Sequence, residues 1–125
     1  MTGRRHRAAR LLPTARAAGW GLLALRRLRR ELPSAGLTAR VTAPPAAPRA
    51  SARGVELALS LRHATCLERS LVMQRWLLAQ GRRHDVLVGV AGGADALDAH
   101  AWIDRYDGAA QGAGYELLTR VEPRA

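Results

Sequence analysis

A chain of 125 residues with one cysteine has room for one small domain. It excludes an internal disulfide, a multi-cysteine metal site, and a cofactor-binding domain joined to a substrate domain. The formal net charge of +10 is uneven: residues 1–53 hold twelve arginines and one acid, Glu31, whereas residues 54–125 hold eight arginines and nine acids. All 20 basic residues are arginine, which together with abundant Ala and Gly points to composition bias, so basicity alone is weak evidence for a nucleic-acid partner.

At the start, Arg4-Arg5-His6-Arg7 has the charge of a signal-peptide n-region. The apolar stretch behind it, Ala17 to Leu25, is short and is closed by Arg26-Arg27, so no secretion signal is expected. No apolar run reaches the roughly 18 residues of a transmembrane helix. Taken with the cysteine count, this predicts a cytoplasmic protein.

From about Ala8 to Glu31, Leu11, Leu12, Ala15, Ala18, Leu22, Leu25 and Leu28 recur near the helical period while arginine fills the other face. This predicts a basic amphipathic helix, starting at Pro13 and stopped by Pro33-Ser34. Thr42 to Ser51, with Pro44, Pro45 and Pro48, predicts an extended linker. The chain thus divides into an Arg-rich helical region (1–41), an Ala/Pro linker (42–53) and a core (54–125).

In the core, Val55 to Leu61 predicts a short helix and Cys66 to Gln80 the strongest helix of the chain. Gly81 suits the C′ position. Asp85 to Val90 predicts a buried strand broken by Gly92-Gly93. Ala99 to Arg105 predicts a second strand, Asp107-Gly108 a hairpin turn, and Tyr115 to Val121 a third strand. Helices followed by an antiparallel sheet give the α+β class.

Chemistry concentrates at Cys66. Thr65 and Glu68 have capping-box spacing, which makes Cys66 the first helical residue. Backbone N–H groups and the helix dipole favour the thiolate there. His100 follows 34 residues later in His-Ala-Trp, and a cysteine with a distant histidine is the minimal pattern of a cysteine nucleophile. Trp102 shares the strand face of His100. Asp104 shares it too but lies about 13 Å along the strand, out of reach of the imidazole. A partner from the returning strand is expected: Tyr115 lies opposite His100 across a two-residue turn, and a one-residue slip brings in Glu116. Gln111 is an alternative, because an amide oxygen also fixes a tautomer. His63 is expected at the surface or in packing. His63, His84, His100 and Cys66 lack metal-ligand spacing, so neither metal nor cofactor is predicted. The Gly-rich segments lack a phosphate-loop Lys-Ser/Thr and are expected to be turns. The few aromatics are not interleaved with the arginines, which argues against a nucleic-acid platform.

The series Leu59-Ser60-Leu61-Arg62, Cys66-Leu67-Glu68-Arg69-Ser70-Leu71, Trp76-Leu77-Leu78, Val88-Gly89-Val90, Ala99-His100-Ala101-Trp102-Ile103-Asp104 and Tyr115 with Leu117-Leu118 resembles the lasso-peptide leader peptidases, transglutaminase-like maturation proteases of ribosomal peptide clusters. The resemblance covers residues 55–121. It implies a papain/transglutaminase-like core, with Cys66 as nucleophile, His100 as base and acid, and cleavage of a leader from a precursor peptide. It also implies a separate leader-binding protein as partner and an ATP-dependent macrolactam synthetase downstream. The family usually has an acid after the turn that follows the histidine. Here Ala109 to Gly114 carries none before Glu116, so Glu116 and Gln111 are the candidates for the third position. Two other readings compete: a non-catalytic partner-binding protein that keeps the fold with a decayed triad, and an Arg-rich nucleic-acid-binding protein.

Overall fold

The computed structural model describes residues 2–92 and 96–125, with side chains of the first helix described from Leu12 onward. The side chains of Arg4, Arg5, His6, Arg7 and Leu11, and Gly93 entirely, therefore lie outside the described residues. Six main elements follow in order: α1 (Thr2–Ala35), α2 (Ala52–Leu61), α3 (Cys66–Ala79), β1 (Val86–Ala91), β2 (Asp98–Ile103) and β3 (Glu116–Val121). Short 3₁₀ turns occupy Gly36–Thr38, Arg49–Ser51 and Ala109–Gly112.

Helix α1 departs from expectation at its start. It runs through Pro13 instead of beginning there. A proline inside a helix removes one i→i−4 hydrogen bond, and tertiary packing overrides that local preference. The backbone of Thr14, the next residue, lies directly against Gly54 of α2, where a Cβ would collide with it. The end is as expected, two residues past Pro33.

The buried stripe of α1 also differs from the predicted one. Ala17, Trp20, Ala24, Leu25 and Leu28 enter the core, while Leu12 and Leu23 stay exposed. Small residues let α1 approach α2 closely, as at Gly21, whose Cβ would meet Val55 and Ala58 at ordinary contact distance. Trp20 then reaches α3 and packs on Trp76 with ring centroids 5.6 Å apart. The extended segment after α1 is tied to this core as well. Trp20 Nε1 donates to the Thr42 carbonyl at 3.2 Å and Gln80 Nε2 donates to the Ala47 carbonyl at 2.9 Å.

Helix α3 ends in a Schellman arrangement at Gly81, whose φ is +80°. The Arg82 N–H donates to the Leu77 carbonyl at 2.9 Å and the Gly81 N–H to the Leu78 carbonyl at 3.0 Å. The buried Gln74 amide of α3 donates to the carbonyls of His84 (2.9 Å) and Val121 (2.8 Å), which fixes the helix to the sheet.

The strands form an antiparallel sheet in the order β2-β1-β3. The α+β class holds, with helices packed on one face of the sheet. The expected hairpin between the second and third strands does not form: β3 crosses to the far side of β1. The reason lies at the free edge of β2. The Ile103 N–H donates to Asp107 Oδ2 at 2.8 Å and the Ala101 N–H to Cys66 Sγ at 3.4 Å. With those outward donors already satisfied, that edge has no row left for a third strand. Asp107, expected in a hairpin turn, is thus an edge cap.

Pleating divides the sheet. Val86, Ala101, Ile103 and Val121 join the core under the helices, which leaves His100 and Trp102 on the other face.

Candidate active site

The loop after α2 turns back through His63, an exposed residue with φ 51°, and enters α3 at Thr65. Both halves of the capping box are present. The Glu68 N–H donates to Thr65 Oγ1 at 3.1 Å, and the Thr65 N–H donates to Glu68 Oε1 at 2.9 Å. Cys66 is consequently the first residue of α3, where backbone N–H groups have no intrahelical acceptor.

A second layer fixes this entrance. Arg29 of α1 reaches Glu68 with Nε and Nη2, each at 3.1 Å, and its Nη2 also donates to the Arg62 carbonyl at 2.9 Å. Burial pushes the Glu68 carboxyl up, but the Arg29 guanidinium and the Thr65 hydrogen bonds outweigh it and hold the group below its usual range. One turn further on, Arg69 bridges Glu56 of α2 at 2.7 Å and Asp107 beyond β2 at 2.7 Å. Burial pulls the Arg69 guanidinium down, yet the two carboxylates more than compensate and raise it. Helix α3 is thereby bound to α1, α2 and the edge of β2 by charge-assisted hydrogen bonds.

Cys66 itself is exposed. Its sulfur accepts from the Ala101 N–H at 3.4 Å, so it sits against the strand residue adjacent to His100. His100 lies opposite Gly89 of β1. Its Nε2 is 3.1 Å from Gln111 Oε1, with Gln111 carried by the 3₁₀ turn Ala109–Gly112. The ring belongs to a three-membered aromatic cluster in which Trp102 and Tyr115 also touch each other, with centroids 6.1 Å apart. Trp102 stacks on it with centroids 5.7 Å apart and planes at 22°, and Tyr115 approaches at 5.1 Å.

Two glycines make this cluster possible. Tyr115 precedes β3 and His100 is on β2, so β1 runs between them. A Cβ on Gly89 would lie 2.9 Å from Tyr115 Cβ and 3.0 Å from the Trp102 ring, distances that only a missing side chain permits. A Cβ on Gly112 would fall 2.8 Å from the same indole. Tyr115 is anchored in turn, its hydroxyl donating to Asp98 Oδ2 at 2.7 Å. That hydrogen bond, followed by desolvation and the Asp98 carboxylate, pushes the phenol up.

Of the expected site residues, His100 and Gln111 meet through their side chains, and Cys66 meets the backbone of Ala101, the residue after His100. Glu116 does not: it pairs with Val90 on the far side of β1 and is exposed, because β3 is not the neighbour of β2. Sequence reasoning missed Arg29 and Asp98, whose roles depend on contacts 39 and 17 residues away in the chain. His84 serves structure, with Nδ1 2.8 Å from the Asp104 carbonyl. Among the described residues, no three His, Cys, Asp or Glu side chains are grouped to hold a metal, and no helix is long and apolar enough to cross a membrane.

Residues 7–123 match the family described as the transglutaminase-like superfamily. No curated protein and no solved structure matches the chain.

Proposed function

Since the chain belongs to the transglutaminase-like superfamily, we propose that it is a cysteine peptidase removing the leader from a ribosomally made precursor peptide in lasso-peptide maturation. The superfamily typically carries cysteine peptidase or acyltransferase chemistry. The observation that carries the reading is the seat of Cys66 at a doubly anchored helix start, its sulfur held on the backbone beside His100. The motif resemblance over residues 55–121 supplies the substrate class.

In this reading the Cys66 thiolate attacks the carbonyl carbon of the leader–core peptide bond. The Cys66 N–H, which has no partner among the described residues, faces the developing oxyanion. Protonated His100 gives its proton to the departing amine of the core peptide, leaving the leader as a thioester on Cys66. Water then adds to the thioester as His100 accepts its proton. The leader carboxylate departs and the thiol is restored. Gln111 occupies the third position and orients the imidazole as a neutral acceptor, its Oε1 facing His100 Nε2. Thiol chemistry tolerates that better than hydroxyl chemistry would, because sulfur is intrinsically the stronger nucleophile. Residues 54–125 carry the chemistry, a separate leader-binding protein presents the substrate in the cytoplasm, and a macrolactam synthetase consumes the freed core.

The test is incubation of the purified protein with the precursor peptide, with and without the leader-binding protein, read by mass spectrometry. A single cut at the leader–core junction that disappears in Cys66→Ala is expected. No cut from a folded sample whose Cys66 is unreactive would overturn the reading in favour of a non-catalytic binding protein, which the absent acid would then explain.

A further inference from the structure

One face of α1 is left open beside the site. Leu22, Leu23, Arg26, Arg29 and Arg30 of α1, with Arg62 from the loop after α2, line a groove of about 650 Å³. Its floor is the buried Leu25, and Leu22 and Leu23 are 36% and 44% exposed along it. Gly19 opens one end, since a Cβ there would meet nothing within 4 Å. Arg29 stands at the other end, committed to Glu68. The side chains of Arg26, Arg30 and Arg62 have no carboxylate or other hydrogen-bond partner among the described residues.

We propose that this groove is a docking site for an acidic, leucine-bearing segment of the peptide substrate, lying beside the entrance to the nucleophile helix. The proposal rests on the peptidase reading for the identity of its occupant. Charge complementarity selects the chemistry: three unpaired guanidiniums around apolar side chains match carboxylates interspersed with aliphatic residues, and guanidiniums bind carboxylates in a preferred forked geometry. Shape selects a peptide. The groove is concave and, from Gly19 to Arg30, about 17 Å long at helical rise, the span of roughly five extended residues. A bilayer would need a protruding apolar face, and a single-stranded nucleic acid would find no aromatic ring among the lining residues on which to stack. Position ties the groove to the chemistry. Arg29, which closes it, is the same residue that holds Glu68 and hence the cap before Cys66, so the groove ends against the residue that anchors the start of α3. Binding at a distance from the scissile bond raises its effective concentration at the sulfur.

The test uses the full chain carrying Cys66→Ala, so that cleavage cannot consume the probe, and a fluorescein-labelled peptide repeating Glu-Glu-Leu, read by anisotropy. Peptides repeating Lys-Lys-Leu and Glu-Glu-Ser are the comparisons. The Glu-Glu-Leu peptide is expected to bind best, and the double variant R26E/R30E to weaken it roughly tenfold. Leu23→Ser, an exposed change that leaves every charge in place, is expected to weaken it about threefold. Unchanged affinity in R26E/R30E, equal binding of Glu-Glu-Ser, or displacement of the peptide by phosphatidylserine vesicles or single-stranded DNA would each overturn the proposal. The active chain separates the two readings. Arginine-dependent binding without any cleavage leaves the groove standing and overturns the peptidase. Cleavage whose KM is the same in R26E/R30E leaves the peptidase standing and overturns the groove.

Discussion

On the cysteine side of the site, Thr65, Glu68 and Arg29 form an unbroken chain of hydrogen bonds from α1 to the first turn of α3, and Arg69 adds a second tie to α2 and β2. On the histidine side, His100 has one side-chain hydrogen bond, to an exposed Gln111, and otherwise rests against two aromatic rings that also touch each other, packed over glycines. The first arrangement is electrostatic, redundant and centred on the buried Glu68. The second is open and held by shape. The contrast separates two duties. Position of Cys66 is part of the stability of the fold, whereas orientation of His100 is a local matter that can vary without unfolding the chain. Mutations should therefore fall into two groups according to which side they touch.

The largest effect is expected at His100. His100→Ala should lower cleavage by about two to four orders of magnitude, while thermal unfolding stays close to that of the unmodified chain. A comparable loss of stability would break the contrast. Next comes Glu68→Ala, which removes half of the capping box and leaves Arg29 without its carboxylate. A cost of about 1–3 kcal/mol is expected in denaturant unfolding, with activity falling in parallel as the helix start loosens.

Glu68 also sharpens the contrast through pH. Its carboxyl titrates below the ordinary value of 4.5 in the folded chain, so its stabilising contribution is complete above that value and is lost as pH falls through the folded one. Thermal unfolding from about pH 6 down to pH 3 should show a steeper loss in the unmodified chain than in Glu68→Gln. Equal slopes would mean that the carboxyl is not held by Arg29.

On the histidine side, Gln111→Ala should reduce cleavage about tenfold through kcat, with unfolding unchanged. Tyr115→Phe keeps the ring and removes only the bond to Asp98. It is the smallest change, with thermal unfolding and cleavage both expected to stay close to those of the unmodified chain.

The cysteine side was legible in the sequence because its key relation is local. Thr65 and Glu68 are three residues apart, and their spacing alone places Cys66 at a helix start. Gly81, at the other end of α3, was legible for the same reason. The strands were legible as segments, since Val86–Ala91 and Asp98–Ile103 alternate or run apolar. Their order was not. Whether β3 joins β2 or crosses β1 depends on which groups reach the edge of β2 first, and the sulfur of Cys66 and the carboxylate of Asp107 take it. That competition removed Glu116 from the site and brought Gln111 in. Arg29 was one arginine among many in a uniform run, and nothing in its neighbours marks it as the one that meets Glu68. The buried stripe of α1 was misplaced because small residues set the approach of α1 to α2, while the leucine periodicity partly followed the exposed groove.

The central claim is that Cys66 and His100 act as one chemical unit. Alkylation of Cys66 by iodoacetamide, followed by intact mass spectrometry at about pH 6, where an ordinary thiol is nearly inert, tests it most directly. The account predicts rapid single modification in the unmodified chain and a pronounced slowing in His100→Ala, both proteins being folded. Equally slow modification of the two would contradict it, leaving Cys66 an ordinary surface thiol and His100 a bystander.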